Sequence, residues 1–151
     1  MTARLSYAES VRRLVEQGDI AVGTAPATPP TRRVHADDDT LGIEFFRTRV
    51  ADTDFSNLTL PGLYFGRSEI ANCSFRNADI RYSTLCWNDF IDVDFHGACL
   101  VDCDLRAALF ERCNFEGAEM QGALVNKDSA VYLSEAQRRV VIWSDEEPDG
   151  G

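Results

Sequence analysis

The stretch FRNADIRYSTLCWNDFIDVDF, residues 75–95, places Phe75, Ile80, Leu85, Phe90 and Phe95 at every fifth position. A β-strand repeats its faces every two residues and an α-helix every 3.6. A period of five fits neither. Followed outward from Phe75, the same phase gives Phe45, Val50, Phe55, Leu60, Phe65 and Ile70 on one side and Leu100, Leu105, Phe110, Phe115 and Met120 on the other. None of these central residues is polar. Two residues before each centre runs a second series that is mostly small from Ser68 onward, including Cys73, Ala78, Ser83, Ala98 and Ala118. Gly62, Gly66, Gly97, Gly117 and Gly122 fall in the outward positions. The pattern holds over about 43–122 without an insertion. A period sustained for this length marks a solenoid, in which each repeat covers the apolar surface of its neighbour.

The segments NADIR (77–81), GACLV (97–101) and GAEMQ (117–121) carry the loose motif A(D/N)Lxx. In this the chain resembles the pentapeptide-repeat family. The resemblance implies an all-β solenoid, a right-handed quadrilateral β-helix with four pentapeptides per square coil and about four coils here, with short terminal helices. It also implies that the central residue and the small residue two before it point inside. Residues twenty apart should then stack, with coils ~4.8 Å apart. Phe55, Phe75, Phe95 and Phe115 share that spacing, as do Leu58, Ala78, Ala98 and Ala118. Thr48, Ser68 and Asn88 form a polar interior column. Asn88 is large for its place and must find backbone partners.

The repeats divide the chain into an N-terminal amphipathic helix (1–18), a Pro-rich and mobile linker (19–42), the β-helix (43–125) and a C-terminal capping helix with an acidic tail (126–151). Tyr7, Ala8, Val11, Leu14 and Val15 share one face of the first helix. Ser134 and Gln137 match a capping box for the second. After it, VVIW (140–143) is too apolar for open water. It either closes the last coil or meets a second copy, so a monomer and a C-terminal homodimer both stay open. An uncovered β-helix end would aggregate.

The formal net charge of −10 argues against direct contact with nucleic acid or an anionic membrane, both of which need a basic footprint. No apolar run reaches transmembrane length, and the first residues lack the apolar core of a signal peptide. A cytoplasmic protein with reduced thiols is expected. The repeat register puts Cys73, Cys103 and Cys113 inside and Cys86 and Cys99 outside. Such diverging thiols hold no metal. His96 is expected in solvent and His35 in the linker. No phosphate-binding loop is present, and a tube filled with Phe and Leu offers no pocket for acid–base work. No catalytic residue, metal or cofactor is expected.

That leaves the outer walls. Three sides are acidic. The first, with centres 45, 65, 85 and 105, carries Arg47, Arg67 and Arg106 with Phe46, Tyr64 and Trp87, and Tyr82 at the adjoining corner. Trp, Tyr and Arg are the commonest interface anchors. The expected function is a non-catalytic protein–protein interaction module, accessory or regulatory, binding through Trp87, Tyr64, Tyr82, Arg67 and Arg47. The alternative comes from the family resemblance: a DNA mimic that binds DNA gyrase and protects it from quinolones, using the acidic face of Asp89, Asp92 and Asp94. Across the repeats thirteen carboxylates face seven arginines, a weaker charge density than that of duplex DNA.

Overall fold

The computed structural model describes residues 3–32 and 42–144. Within them the period of five closes into a right-handed quadrilateral β-helix. Its strands are β1 (Glu44–Phe46), β2 (Arg49–Ala51), β3 (Tyr64–Gly66), β4 (Glu69–Ala71), β5 (Asp89–Ile91), β6 (Leu109–Glu111), β7 (Leu124–Val125) and β8 (Ile142–Trp143). From β1 to β6, neighbours run parallel at an offset of twenty residues: Phe45 lies beside Phe65, Ile70 beside Phe90, and Phe90 beside Phe110. The third and fourth sides keep that offset through single bridges, Asp54–Ser74–Asp94–Asn114 and Thr59–Asp79–Cys99–Glu119. One coil therefore takes four pentapeptides.

The interior follows from the register. Phe55, Phe75, Phe95 and Phe115 stack face to face with ring centroids 4.6, 5.4 and 5.0 Å apart. Phe45 and Phe65 stack at 4.9 Å, and Phe90 and Phe110 at 5.3 Å. Rings on adjoining sides meet edge-on, as Phe65 and Phe75 do at 88°, the geometry that aromatic quadrupoles favour. Leu58, Ala78, Ala98 and Ala118 are buried beside the Phe ladder. One central residue departs from expectation: Phe110 is half-buried, because it lies in the last coil of its side, where the Tyr132 ring, 5.8 Å away, stands in place of a further coil.

Asn88 is satisfied as its burial requires. Its Oδ1 accepts from Ser68 N at 2.8 Å, and its Nδ2 donates to the carbonyls of Phe65 (2.6 Å) and Cys86 (3.0 Å). Thr48 N in turn donates to Ser68 Oγ. The inward thiols behave alike: Cys73, Cys103 and Cys113 donate to the carbonyls of Val50, Ile80 and Phe90, each one coil below.

The corners share one backbone device. The residue two after each centre, from Arg47 to Gly122, has a positive φ of 49–74° at all sixteen corners. At several corners the centre's carbonyl also accepts from the N–H three residues on, as Phe75 does from Ala78 and Phe95 from Ala98. A positive φ at the third residue of such a turn is the type II geometry. Only four corners carry glycine, Gly62, Gly97, Gly117 and Gly122. Gly66 is not a corner; it lies on a wall and is buried.

Both ends are closed. At the start, α1 (Tyr7–Glu16) lays Leu14 across the tube mouth. Leu5 N donates to Asn57 O, and Thr59 N to Ser10 Oγ, both at 2.8 Å. The buried face differs from the sequence expectation: Ser10 is inside and Ala8 is exposed. The hydroxyl of Ser10 decides this, since it accepts from the first coil and donates to Ser6 O at 2.7 Å. The stretch expected to be a mobile linker is laid down as far as residue 32. Ile20 and Ala25 pack on the core, Tyr7 Oη donates to Pro26 O, and the Pro30 ring sits against Gly62. Residues 33–41 of that expected linker, with His35, fall outside the described residues, as does the acidic tail from 145.

At the far end, a 3-10 helix (Lys127–Tyr132) and α2 (Glu135–Val140) precede β8. The capping box of Ser134 and Gln137 is present. Gln137 Nε2 also donates to the carbonyls of Phe115 (2.7 Å) and Ala118 (3.1 Å), tying α2 to the last coil. β8 then pairs parallel with β7, Leu124 beside Ile142 and Val125 beside Trp143. The VVIW segment is thus an added rung, with Val141 inside and Val140, Ile142 and Trp143 outside.

Candidate interaction surface

On each side the residues just before and just after a centre stand on the outer wall, and the residue after those turns the corner. On the first side the leading wall positions are Glu44, Tyr64, Thr84 and Asp104, the trailing ones Phe46, Gly66, Cys86 and Arg106, and the corners Arg47, Arg67, Trp87 and Ala107. Arg47, Arg67 and Trp87 therefore share one edge. Tyr82, at the corner before this side, borders the opposite edge of the same coil as Trp87. Tyr64 lies between the two edges. The structure thus brings the sequence-selected residues onto one side, but in three columns. Arg47 and Arg67 are exposed; Tyr64, Tyr82 and Trp87 are half-buried instead of fully outward.

Phe46 and Gly66, both outward in the sequence reading but not among its binding residues, complete the surface. Phe46 is 47% exposed, the highest of any aromatic ring described. It rests on Gly66, as does Tyr64: a Cβ at Gly66 would meet Phe46 Cδ1 and Tyr64 Cε1 at 2.7 Å each. Any larger residue there would force both rings to shift. The signal was present, since Gly66 is twenty residues from Phe46 and breaks a column of larger side chains. The Arg47 guanidinium lies over the Phe46 ring, 5.2 Å from its centroid, within the range of a cation–π contact. In the last coil of the same side Arg106 grips Asp104 at 2.8–2.9 Å through two nitrogens, and both side chains are largely buried. That pair is internal structure. The outward charge of this wall in the first two coils comes from Arg47, Arg67 and Glu44.

The acidic sides are knit differently. Arg112 holds Asp92 at 2.6 and 3.1 Å and also reaches Glu111 at 2.7 Å. Its hydrogen bonds hold the Asp92 carboxyl below the usual carboxylate range. Arg76 pairs with Asp94 at 3.0 Å, and Asp94 also accepts from His96 N and Asn114 Nδ2. Arg49 spans one coil to Glu69 at 2.7 Å. Of the three residues of the alternative acidic face, Asp89 and Asp92 are exposed and Asp94 is half-buried. Two of the three are held by arginines.

The thiols depart from expectation. Cys99 was expected outside, yet it is fully buried on the fourth wall, between the longer side chains of Asp79 and Glu119 in its column and beside Arg81. Cys86 is half-buried, and burial followed by the nearby Asp104 pushes its thiol up to about 11. Cys113, expected inside, is half-buried in the last coil. Burial raises Cys73, Cys99 and Cys113 as well. Thiolates, not thiols, are the nucleophiles and metal ligands, so these four sites are poised against both. Among the described residues no group of His, Cys, Asp and Glu converges as a metal site would.

Residues 68–106 and 89–125 match the sequence profile of pentapeptide repeats, with 8 copies. Residues 68–125 are thus pentapeptide repeats. The first coil, residues 43–67, lies before the matched stretch but pairs in the same register. Solved structures with similar folds include a pentapeptide-repeat protein from the Arabidopsis thaliana thylakoid lumen, at 24% identity over 66% of this chain and 70% of that one, with a TM-score of 0.39. HetL, a pentapeptide-repeat protein involved in heterocyst differentiation regulation in the cyanobacterium Nostoc sp. strain PCC 7120, is 14% identical over 53% of this chain and 48% of its own, with a TM-score of 0.36. QnrB1, a plasmid-mediated fluoroquinolone resistance protein, is 13% identical over 57% and 56%, with a TM-score of 0.25. No curated protein sequence matches the chain at a significant level. Among the described residues no helix is long and apolar enough to cross a membrane.

Proposed function

We propose that this pentapeptide-repeat protein is a non-catalytic binding module that presents its first side to another protein. The observation that carries the reading is the Gly66 shelf. Phe46 and Tyr64 pack over the bare backbone of Gly66, flanked by Arg47 and Arg67 at the corner and followed by Trp87 one coil on. Aromatic rings have few rotatable bonds and lose little entropy on binding, which suits them as interface anchors. The duplex-mimic reading, with DNA gyrase as partner, calls instead for a dense array of uncompensated charge. The contacts of Arg112 with Asp92 and of Arg76 with Asp94 weigh against it.

Site-specific photocrosslinking in the native host tests the reading. A photoreactive phenylalanine analogue is placed at Phe46, at Trp87 or at Asp92 in the full chain. The expected result is a discrete protein adduct from positions 46 and 87 and none from 92. Adducts from position 92 alone, containing a gyrase subunit, would transfer the function to the acidic side.

A further inference from the structure

The coils of the third side are joined by a fixed set of backbone bonds. Between its last two coils Asn114 N donates to Val93 O, Phe95 N to Asn114 O and Gly97 N to Glu116 O, at 2.7–3.1 Å. The next rung of this ladder is offered by Cys113 O, Phe115 N and Gly117 N. None of the three has a hydrogen-bond partner among the described residues. Phe115 is only 2% exposed, and unpaired backbone groups are rare and costly where they are buried.

The cap leaves this place open. Gln137 ties it to the carbonyls of Phe115 and Ala118, not to either N–H. Between the last coil and the chain at 131–134 lies an open cleft of about 380 Å³, within the size range of ligand pockets. Val131 on its wall is 78% exposed.

The register sets what fits. A three-residue extended segment in the place of the missing rung would donate its first N–H to Cys113 O. Its first and third carbonyls would accept from Phe115 N and Gly117 N. Successive side chains of such a segment alternate faces. The middle one points into the tube, where the Tyr132 ring already lies 6.3 Å from that of Phe115, so it must be small. The outer two continue the columns of Asn114 and Glu116. In this protein, cations one coil away pair with outward carboxylates, as Arg49 does with Glu69 at 2.7 Å and Arg112 with Asp92 at 2.6 Å. Glu116 is exposed and has no ion pair among the described residues. Its column therefore calls for Lys or Arg. The same carboxylate disfavours the chain's own acidic end, with Asp145, Glu146, Glu147 and Asp149.

We infer that this cleft captures an extended peptide of another protein by strand addition, in the pattern polar–small–basic, on the open edge of Cys113, Phe115 and Gly117 with Glu116 as the charge partner. The site lies on the third side, apart from the aromatic first side, and needs no second copy of the chain.

Amide-resolved nuclear magnetic resonance of the full chain, titrated with the capped peptide Ac-TNART-NH2, tests the inference. The amide protons of Phe115 and Gly117 are expected to shift and to exchange with solvent about tenfold more slowly or less, while those of Phe46 and Trp87 stay in place. A peptide with a bulky middle residue, TNVRT, should give no such protection. The wild type should prefer TNART over TNAET by about threefold, as suits an exposed ion pair, and a Glu116→Lys variant should reverse the preference. No change at Phe115 and Gly117 up to millimolar peptide, equal effects from TNVRT, or the same preference in wild type and Glu116→Lys would each overturn the inference. So would amides already protected in the free chain and released on deletion of residues 145–151, which would make the chain's own end the occupant.

Discussion

Ala107 shows what this architecture demands of a single residue. It turns a corner with a φ of 57°, a conformation in which its Cβ crowds the carbonyl. For an L-residue that costs roughly 1–2 kcal/mol. Because every corner repeats the geometry, the strain belongs to the coil and marks no site. Gly at such a corner removes the clash and gives back about 0.5–1 kcal/mol of chain entropy. Ala107→Gly is therefore expected to stabilise the protein by up to about 1 kcal/mol, read as a higher unfolding midpoint in urea. A lower midpoint would mean that the corner is not strained. The thiols give a second test at this scale. The folded state keeps the Cys86 proton up to a pH of about 11, whereas an unfolded thiol loses its proton near pH ~8.5. The stability that this proton contributes is whole below the unfolded value and is lost as pH rises through the folded one. Native protein at neutral pH should react slowly with iodoacetamide at all five cysteines, and faster as pH approaches that of the Cys86 thiol. Unfolded protein should label fully. Rapid native labelling of Cys99 would contradict its burial.

At the scale of elements, the ends of the tube matter more than the strands. Each strand is only two or three residues long and is held by the coils beside it. The last coil has no coil above it, and the side chain of Gln137 stands in. It bonds two carbonyls of that coil while its Oε1 accepts from Ser134 N. Gln137→Ala leaves both carbonyls without this donor and opens the capping box. A loss of about 1–3 kcal/mol is expected from chemical denaturation, since an unsatisfied buried acceptor costs about that much. Ser134→Ala removes the hydroxyl bond alone and should cost about 1 kcal/mol. Equal effects from the two would deny Gln137 its tie to the coil.

For the whole molecule, the fold was legible because its determinant is local and repeated: one large apolar residue in five, with a small one two before it, admits few other objects. The twenty-residue stacking of the Phe ladder followed directly. What stayed hidden depends on neighbours one coil away or across an end. Cys99 reads as outward from its position, and its burial comes from the side chains of Asp79 and Glu119 above and below. Ser10 reads as polar surface until Thr59 N is seen to need it. The aromatic side was found from the register, but its anchor was not. Phe46 gains its place only through the missing side chain of Gly66, a relation between two coils that a linear reading underweights. The Pro-rich stretch read as a linker because proline and charge suggest one, and Pro30 instead fits the bare corner of Gly62.

The claim that the first side is the partner surface is tested most directly by the affinity of a crosslinked partner, once isolated, for four proteins: wild type, Phe46→Ala, Gly66→Val, and an Asp89→Asn, Asp92→Asn double variant. The expected result is a loss of about tenfold or more for Phe46→Ala, in line with a hot-spot anchor worth about 2 kcal/mol. A comparable loss is expected for Gly66→Val, whose side chain unseats both rings. The acidic double variant should bind as the wild type does, with little dependence on salt. Binding that survives Phe46→Ala and Gly66→Val but collapses in the acidic variant, and that weakens as salt rises, would contradict it.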